Sequence, residues 1–211
     1  VWAYSEPMPV QDIPEVCREQ VAAFVTGTAG VAESIMELLA EGLGLERTKF
    51  TDLTFLQSQL FVGHCYPPCP QPDLTLGISS HTDPGILTVL MPNHVPGLQV
   101  RHDGAWVDVK PLHGGLIVNI GDFLQVVSND VYKSVHHRVL ANSSNDLRIS
   151  VAMFYNVFKW KGEGLGYYGP LPELITPENP AKYRNFTKEE FKANFFGKSL
   201  GYKNLVEAVK I

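Results

Sequence analysis

The sequence has little excess charge, few cysteines and no obvious membrane segment. Its 211 residues carry a formal net charge of -5, so nucleic acid is not an expected partner. No apolar run approaches the roughly 20 residues that cross a bilayer, and the first residues do not form a signal peptide. We therefore expect a cytoplasmic protein that binds neither nucleic acid nor membrane.

Cysteine is also scarce. The three cysteines, Cys17, Cys65 and Cys69, are too few for a disulfide framework and fit a reducing compartment. Cys65 and Cys69 have no second cysteine pair with which to build a zinc site, so we expect structural thiols. The chain has no initiating methionine, which suggests that it belongs to a longer protein.

What is present is typical of a globular domain. Apolar residues make up 45% of the chain and charged residues 18%, which is ordinary for a folded protein. The length suffices for one well-buried domain over residues 1–211. We expect helical support over about 1–55, a β core over 56–158 and a C-terminal extension with a helix over 159–211.

Helical patterns are found near both ends. Residues 1–12 are rich in proline and polar residues and indicate a loop. Apolar residues at helical spacing then predict one long helix over about 13–43. A capping-box pattern at Thr187 predicts a second helix of about three turns. The apolar side of that helix is formed by Phe191, Phe195 and Leu200.

Short apolar runs separated by turn residues fill the region between these helices. The predicted strands are 60–66, 74–79, 86–91, 97–102, 105–109, 116–120, 134–141 and 147–155. The pair Asp103-Gly104 is a strong hairpin signal, and the run 116–120 has the pattern of a strand buried on both faces. Short strands at this spacing predict a mainly β fold, a sandwich or a jelly roll, with flanking helices.

His81 and Asp83 stand two residues apart where two apolar runs meet. In an extended strand, residues i and i+2 face the same side, so both side chains can aim at one point. An imidazole and a carboxylate are two members of the facial triad that holds non-haem iron(II) and leaves positions open. A third ligand would have to come from elsewhere in the chain.

The adjacent histidines His136 and His137 are candidates for that third ligand. In a strand they face opposite sides, so at most one can join the pair. His137 shares its face with Val135 and Val139, which indicates the interior, and a buried neutral histidine needs a partner such as a metal. The histidines expected to face solvent, because they lie beside turn residues, are His94, His102 and His113.

Arg148 and Ser150 lie two apart in a strand that is otherwise apolar. Burying an arginine without a partner costs several kcal/mol, so a carboxylate or phosphate is expected nearby. A guanidinium beside a hydroxyl is well shaped for a carboxylate. The alternative is a structural salt bridge to Asp122 or Asp146.

Together these motifs resemble the plant iron(II)/2-oxoglutarate-dependent dioxygenases. The matching segments are residues 63–72, 81–83, 118–122, 132–139 and 148–150. Within that group the chain most resembles the branch of 1-aminocyclopropane-1-carboxylate oxidase homologues. The N-terminal region of the family has no counterpart in this sequence, so the resemblance covers the C-terminal catalytic part.

The resemblance implies a double-stranded β-helix with the long N-terminal helix and the C-terminal helix packed outside. It implies iron ligation by His81, Asp83 and His137. It also assigns the distal carboxylate of 2-oxoglutarate to Arg148 and Ser150.

Three further positions follow from the resemblance alone. Tyr66 falls where family members hydrogen-bond the cosubstrate, and Phe154 falls where some relatives stack an aromatic substrate. His64 stands where many relatives have asparagine, so the polar contact made at that position is open.

The implied function is hydroxylation or oxidative demethylation of a small-molecule specialised metabolite. Fe(II), 2-oxoglutarate and O2 would be required, ascorbate would be the reductant, and succinate and CO2 would be released. We expect a monomer. The alternatives are an ascorbate-dependent oxidase of the 1-aminocyclopropane-1-carboxylate type, a catalytically incompetent fragment, or a binding protein whose histidines are only core residues.

Overall fold

A computed structural model describes residues 2–5, 10–157, 166–196 and 204–211. The strands over these residues are β1 Trp2–Ser5, β2 Ser58–Tyr66, β3 Leu76–His81, β4 Leu87–Pro92, β5 Leu98–His102, β6 Ala105–Asp108, β7 Ile117–Ile120, β8 His137–Leu140 and β9 Arg148–Asn156. The α-helices are α1 Arg18–Gly42, α2 Lys49–Asp52, α3 Asp122–Val127, α4 Lys188–Phe196 and α5 Leu205–Val209.

The strands form two antiparallel sheets with the orders β1-β2-β9-β4-β7 and β3-β8-β5-β6. From β2 onward the chain alternates between the two sheets, apart from the β5–β6 hairpin. This winding is that of a double-stranded β-helix, so the predicted fold class is confirmed.

The hairpin between β5 and β6 has the geometry that its sequence predicts. Asp103 has φ 49° and Gly104 has φ 79°. Positive φ at both central positions matches a two-residue turn of type I′, which suits the twist of the flanking strands. Aspartate and glycine tolerate that conformation better than most residues do.

Helix α1 covers part of the domain core with one narrow stripe. Ala32, Met36 and Ala40, each four residues apart, are at most 1% exposed, as one face of a helix requires. The Phe24 ring meets Phe61 of β2 edge-on at 6.0 Å. The α-helix begins at Arg18 rather than at residue 13, because the turn Glu15–Cys17 before it is a 3-10 helix.

The segment Glu15–Gly42 is long and apolar enough, by length and composition, to cross a membrane. The expectation that no run approaches that length was therefore wrong. Its many valines, alanines and leucines keep the hydropathy high, and Glu33 and Glu37 interrupt it only once per turn. A core helix of a globular domain passes the same test, and α1 does pack against the core through its buried face.

The C-terminal extension packs on α3, a short helix whose six residues are all buried. Phe123 of α3 is the centre of this contact, with zero exposure. The rings of Tyr168, Phe186 and Phe191 surround it edge-on, at centroid distances of 5.3, 5.7 and 5.8 Å. The extension therefore completes the hydrophobic core.

The structure corrects two predictions about strands. Residues 1–12 were expected to be a loop, yet β1 pairs with β2 from Trp2 to Ser5, because the edge of β2 offers unpaired backbone groups. The run 116–120 was expected to be buried on both faces. Its strand β7 lies at the edge of a sheet, and Val118 is 37% exposed.

The predicted C-terminal helix corresponds to α4. The capping box is present, since the Glu190 amide donates to Thr187 Oγ1 at 3.1 Å and the Thr187 amide donates to Glu190 Oε2 at 2.8 Å. Phe191 is buried as expected, whereas Leu200 lies outside the described residues. The short helix α5 was not predicted; Asn204 caps it by accepting the Glu207 amide at 2.9 Å.

Candidate metal centre

Three side chains converge between the two sheets. His81 ends β3, His137 begins β8, and the two residues are register partners across the antiparallel pair. Asp83 follows two residues after His81. One ligand atom from each of the three residues lies within 4.8 Å of the others. Such a spacing allows all three atoms to reach one metal ion.

Asp83 reaches this point in a way that the sequence did not predict. Strand β3 ends at His81, and the register between β3 and β8 shifts before that residue. Asp83 therefore lies in the irregular segment after β3 rather than sharing one strand face with His81. Its Oδ1 atom lies 3.7 Å from His81 Nε2 and 3.5 Å from His137 Nε2.

Both histidines are oriented by a contact with the backbone carbonyl two residues earlier in the chain. His81 Nδ1 lies 2.8 Å from the Ser79 carbonyl oxygen, and His137 Nδ1 lies 3.2 Å from the Val135 carbonyl oxygen. A proton on Nδ1 donates to these carbonyls and leaves the Nε2 lone pair free to bind a metal. In both cases Nε2 is the atom that faces Asp83.

The Asp83 carboxylate is buried, and its two oxygen atoms have different partners. Oδ2 accepts hydrogen bonds from Thr88 Oγ1 at 2.6 Å and from Asn119 Nδ2 at 2.8 Å. Burial alone would raise the pKa of Asp83, but hydrogen bonds from His137, Asn119 and Thr88 outweigh it and lower the pKa to about 2. The carboxylate is therefore an anion at neutral pH, with Oδ1 turned towards the histidines.

The negative charge of Asp83 also changes the pKa of His137. Burial would lower its pKa, but the contact with Asp83 outweighs that effect and raises the pKa above the ordinary value. A metal cation at this point would replace the proton as the partner of the carboxylate. The chemistry of the three donors thus fits a divalent cation that accepts nitrogen and oxygen ligands.

Four of the five remaining histidines lie away from the cluster. His136 is exposed just before β8 begins, with Nδ1 3.5 Å from Ser80 Oγ. The three histidines predicted to face solvent are exposed, as expected: His94, His102 and His113.

Arg148 and Ser150 lie on the inner face of β9. Arg148 is 1% exposed, and its Nε and Nη1 atoms have no hydrogen-bond partner among the described residues. Its Cζ atom lies 4.8 Å from the centre of the Tyr66 ring, and Tyr66 is its register partner on β2. Burial lowers the pKa of Arg148, though not enough to discharge a guanidinium at neutral pH.

A salt bridge from Arg148 to Asp122 or Asp146 was the alternative, and it is wrong. No carboxylate within the described ranges lies within ion-pair distance of Arg148. Asp122 instead accepts the Thr82 hydroxyl at 3.0 Å, and Asp146 lies 3.8 Å from His94. Within the described ranges the buried guanidinium therefore has no anionic partner, which points to a ligand anion.

One cavity of about 430 Å³ joins the two sets of residues. Its polar lining includes the metal-ligand cluster at one side and Arg148, Ser150 and Tyr66 at another. Apolar side chains line the remainder, among them Phe154. A small dicarboxylate could therefore bridge the cluster and the guanidinium inside one space.

A second cavity of about 250 Å³ lies beside the first and shares His81, Asp83, Phe154 and His64 with it. The residues that only this cavity adds are Leu60, Val62, Pro84, Gly85 and Asn156. His64 stacks on Tyr66 with an interplanar angle of 15°, and burial lowers its pKa. The metal-ligand cluster thus lies where two cavities meet.

Sequence reasoning assigned no role to three residues around the site. Thr88 and Asn119 bond Asp83, as described above. Asn142 donates from Nδ2 to the carbonyl oxygens of Tyr66 and Asp146 at 2.9 and 2.8 Å, and so ties the end of β2 to the turn before Arg148. A polar side chain inside an apolar strand was the available signal for Thr88 and Asn119.

The chain is similar in sequence to known oxygenases. A family model described as the 2OG-Fe(II) oxygenase superfamily matches residues 56–157. The chain is 46% identical over 195 residues to 1-aminocyclopropane-1-carboxylate oxidase homolog 4 of Arabidopsis thaliana, covering 92% of this chain and 55% of that protein. For homolog 12 of the same plant the identity is 42% over 206 residues, covering 98% and 56%.

Solved structures agree with the sequence matches. JOX2 in complex with 2OG, Fe and JA superposes with a TM-score of 0.83 at 34% identity, over 99% of this chain and 64% of that one. A dioxygenase for auxin oxidation in rice gives a TM-score of 0.79 at 27% identity, over 99% and 72%. The segment 56–157 belongs to the 2OG-Fe(II) oxygenase superfamily.

Membership of the superfamily agrees with the position of the site. The residues of the metal-ligand cluster, with Arg148 and Ser150, all fall inside the matched segment. The chain spans about half the length of the curated relatives that it matches. The activity of a whole protein of this superfamily is therefore a matter for proposal and experiment.

Proposed function

We propose that this chain is the catalytic part of an Fe(II)- and 2-oxoglutarate-dependent oxygenase that acts on a small molecule. The reaction would hydroxylate or oxidatively demethylate that molecule while 2-oxoglutarate is split to succinate and CO2. The proposal rests on one observation. The metal-ligand cluster and the buried guanidinium of Arg148, which has no anionic partner among the described residues, line the same cavity.

His81, Asp83 and His137 would hold Fe(II) through two Nε2 atoms and Asp83 Oδ1. Three protein ligands leave three of the six positions of an octahedral ion open. Bound iron would supply the activation of O2 that no side chain can perform. The part of the protein is to fix these ligands and to keep the surrounding cavity dry.

Arg148 and Ser150 would bind the far carboxylate of 2-oxoglutarate. A guanidinium and a hydroxyl on adjacent inward positions of β9 offer charge-assisted hydrogen bonds in one direction. Tyr66 lies beside Arg148 and would complete this end of the cavity. The cosubstrate would then extend towards the cluster, which fixes its orientation relative to the iron.

The second cavity is the proposed place for the substrate. Phe154 lines both cavities and offers an aromatic face beside the cluster. The curated relatives named above are proteins of Arabidopsis thaliana, so we infer a small plant metabolite as substrate. We include ascorbate as the reductant that keeps iron ferrous, a cytoplasmic location and a monomeric state in the same proposal.

The proposal is tested by incubating the purified chain with Fe(II), ascorbate, 2-oxoglutarate and a panel of plant metabolites. We expect succinate release, with a gain of about 16 mass units or a loss of about 14 in the metabolite. His81→Ala and His137→Ala should lose bound metal and succinate release, because each removes one of three ligands. His136→Ala is the matched control and should keep both.

Other outcomes separate the alternatives. Product formation without an equal amount of succinate would indicate the ascorbate-dependent oxidase instead. Metal content unaffected by His81→Ala and His137→Ala would indicate a binding protein with core histidines. Turnover only by a longer version of the protein would show that this chain is an incompetent fragment.

A further inference from the structure

The Asp83 carboxylate is fixed by two strands that do not carry it. Thr88 lies on β4 and Asn119 on β7, and the two residues are cross-strand partners. Both donate to the same oxygen, Asp83 Oδ2, at 2.6 and 2.8 Å. The first distance is in the short range for a hydroxyl that donates to a carboxylate.

We propose that Thr88 and Asn119 are positioning residues that restrict Asp83 to one ligating oxygen, Oδ1. The inference rests on the proposed function, because it concerns how the cluster holds a metal. With both donors on Oδ2, rotating the carboxylate to present both oxygens to a metal would break two hydrogen bonds. A buried donor left without a partner costs free energy, so the rotation is opposed.

Restricting Asp83 matters because the coordination positions are few. Two histidines and one carboxylate oxygen occupy three of six positions of an octahedral ion and leave three open. If both oxygens of Asp83 were bound, only two positions would stay open. A cosubstrate that binds through two atoms would then fill the ion and exclude O2. The pair of donors therefore protects the third open position.

The donors themselves cannot move easily. Strand β4 is paired on both sides, with β7 and with β9, and Thr88 is register partner to both Asn119 and Phe154. Thr88 is 5% exposed, so its hydroxyl has little access to water. The pair is thus part of a rigid sheet, which is where precise ligand orientation is best supported.

The experiment compares Thr88→Val, Thr88→Ser and Asn119→Leu with the parent chain. Valine keeps the size of threonine and removes the hydroxyl, whereas serine keeps the hydroxyl and removes the methyl group. Thr51→Val, at an exposed position, is the matched control. Co(II) binding is measured by titration without cosubstrate, and thermal unfolding of the metal-free protein is measured alongside.

We expect Thr88→Val and Asn119→Leu to bind Co(II) about 10- to 100-fold more weakly, the usual effect of losing a hydrogen bond behind a metal ligand. Thr88→Ser should bind as the parent does. The visible spectrum of Co(II) should also change in Thr88→Val, because a second Asp83 oxygen would replace a water molecule at one of the open positions. A merely structural role would lower the unfolding temperature without changing the spectrum.

Two results would overturn the inference alone: Co(II) affinity and spectrum equal to the parent in Thr88→Val and Asn119→Leu, or equal losses in Thr88→Ser and Thr88→Val. A parent chain that binds no metal at all would overturn the proposed function, and the inference with it. If either variant does not fold, the other carries the same comparison.

Discussion

Arg148 carries a buried charge that has no anionic partner among the described residues. Its guanidinium is almost wholly buried, lies over the Tyr66 ring and has two nitrogen atoms without hydrogen-bond partners among the described residues. An unpaired buried charge costs several kcal/mol in the ligand-free protein. Such a cost is typical of a binding site, where the ligand supplies the missing charge.

We therefore expect Arg148→Leu to make the ligand-free chain more stable while it abolishes cosubstrate binding. Keeping a charge out of water costs several kcal/mol per ion, and leucine removes that cost without leaving a buried partner charge behind. In the parent with Co(II), 2-oxoglutarate should raise the unfolding temperature because it binds only the folded state. The variant should show no such rise. Urea and thermal unfolding, with and without 2-oxoglutarate, provide the measurement.

Arg101→Leu is the control for this prediction, since Arg101 is exposed on the other sheet. It should leave the effect of 2-oxoglutarate unchanged. An Arg148→Leu chain that is clearly less stable than the parent and still stabilised by 2-oxoglutarate would contradict the assignment of Arg148 to the cosubstrate.

At the scale of elements, the loop between α3 and β8 leads directly to His137, the first residue of β8. Asn129 and Asp130 both have positive φ, 49° and 75°, a conformation that costs free energy in residues other than glycine, although asparagine and aspartate tolerate it best among them. Asn129 offsets this by donating to the Pro180 carbonyl at 3.1 Å and accepting the Lys182 amide at 2.9 Å. The loop is therefore held by the C-terminal extension.

Asp130 is the charged centre of the same loop. It accepts hydrogen bonds from Gln125 Nε2 at 2.7 Å and Tyr183 Oη at 2.6 Å, and it pairs with Lys133. Burial opposes its ionisation, but the hydrogen bonds from Lys133, Tyr183 and Gln125 outweigh that effect and lower its pKa to about 2. An aspartate in the unfolded chain has an ordinary value near 3.9.

This difference predicts a pH-dependent contribution of Asp130 to stability. Because the folded pKa is the lower one, the contribution is fully present above about pH 5 and is lost as the pH falls towards 2. Asp130→Asn should therefore cost about 2 kcal/mol at pH 7 and much less at pH 2.5. Urea unfolding of parent and variant at pH 7, 4 and 2.5 provides the comparison.

Asp103→Asn serves as the control, since the Asp103 side chain is 91% exposed. It should change the free energy of unfolding little at any of these pH values. A cost of Asp130→Asn that is the same at pH 7 and pH 2.5 would mean that the Asp130 charge does not stabilise the loop.

Elements were predictable where their signal is local. The apolar runs of β2, β4 and β9 and the Asp103-Gly104 turn are read from neighbouring residues alone. Strand β1 was missed because its pairing depends on the distant edge of β2. The prediction of a strand over 134–141 was too long at its start, because the amide of Ser134 bonds Gln125 instead of a strand partner.

The residues of the candidate site were likewise predictable only where their signal is local. His81, Asp83, His137 and Arg148 were selected from the sequence because an unusual polar residue in an apolar strand is visible locally. The donors to Asp83 were not selected, because their partner is brought to them only when the sheets assemble. That His137 rather than His136 lies in the cluster agrees with the alternation that the sequence predicted.

At the scale of the whole molecule, the C-terminal extension connects the hydrophobic core to the metal-ligand cluster. Its aromatic residues pack on Phe123 of α3, while Tyr183 bonds the loop that leads to His137. The extension is therefore expected to contribute to stability and to the site together. Replacing one of its buried aromatic residues should lower both the free energy of unfolding and the metal affinity.

Phe186→Ala tests this connection, because Phe186 has zero exposure and packs against Phe123, Tyr168 and Phe191. We expect a loss of about 3–5 kcal/mol in the free energy of unfolding, the usual cost of removing a buried phenylalanine ring. Tyr167→Ala, at a residue that is 72% exposed, should cost little. Where the variant stays folded at low temperature, its Co(II) affinity should also fall, because the loop before His137 loses its support. Unchanged stability would show that the extension is not part of the core, and unchanged Co(II) affinity in a destabilised variant would show that the core and the cluster are independent.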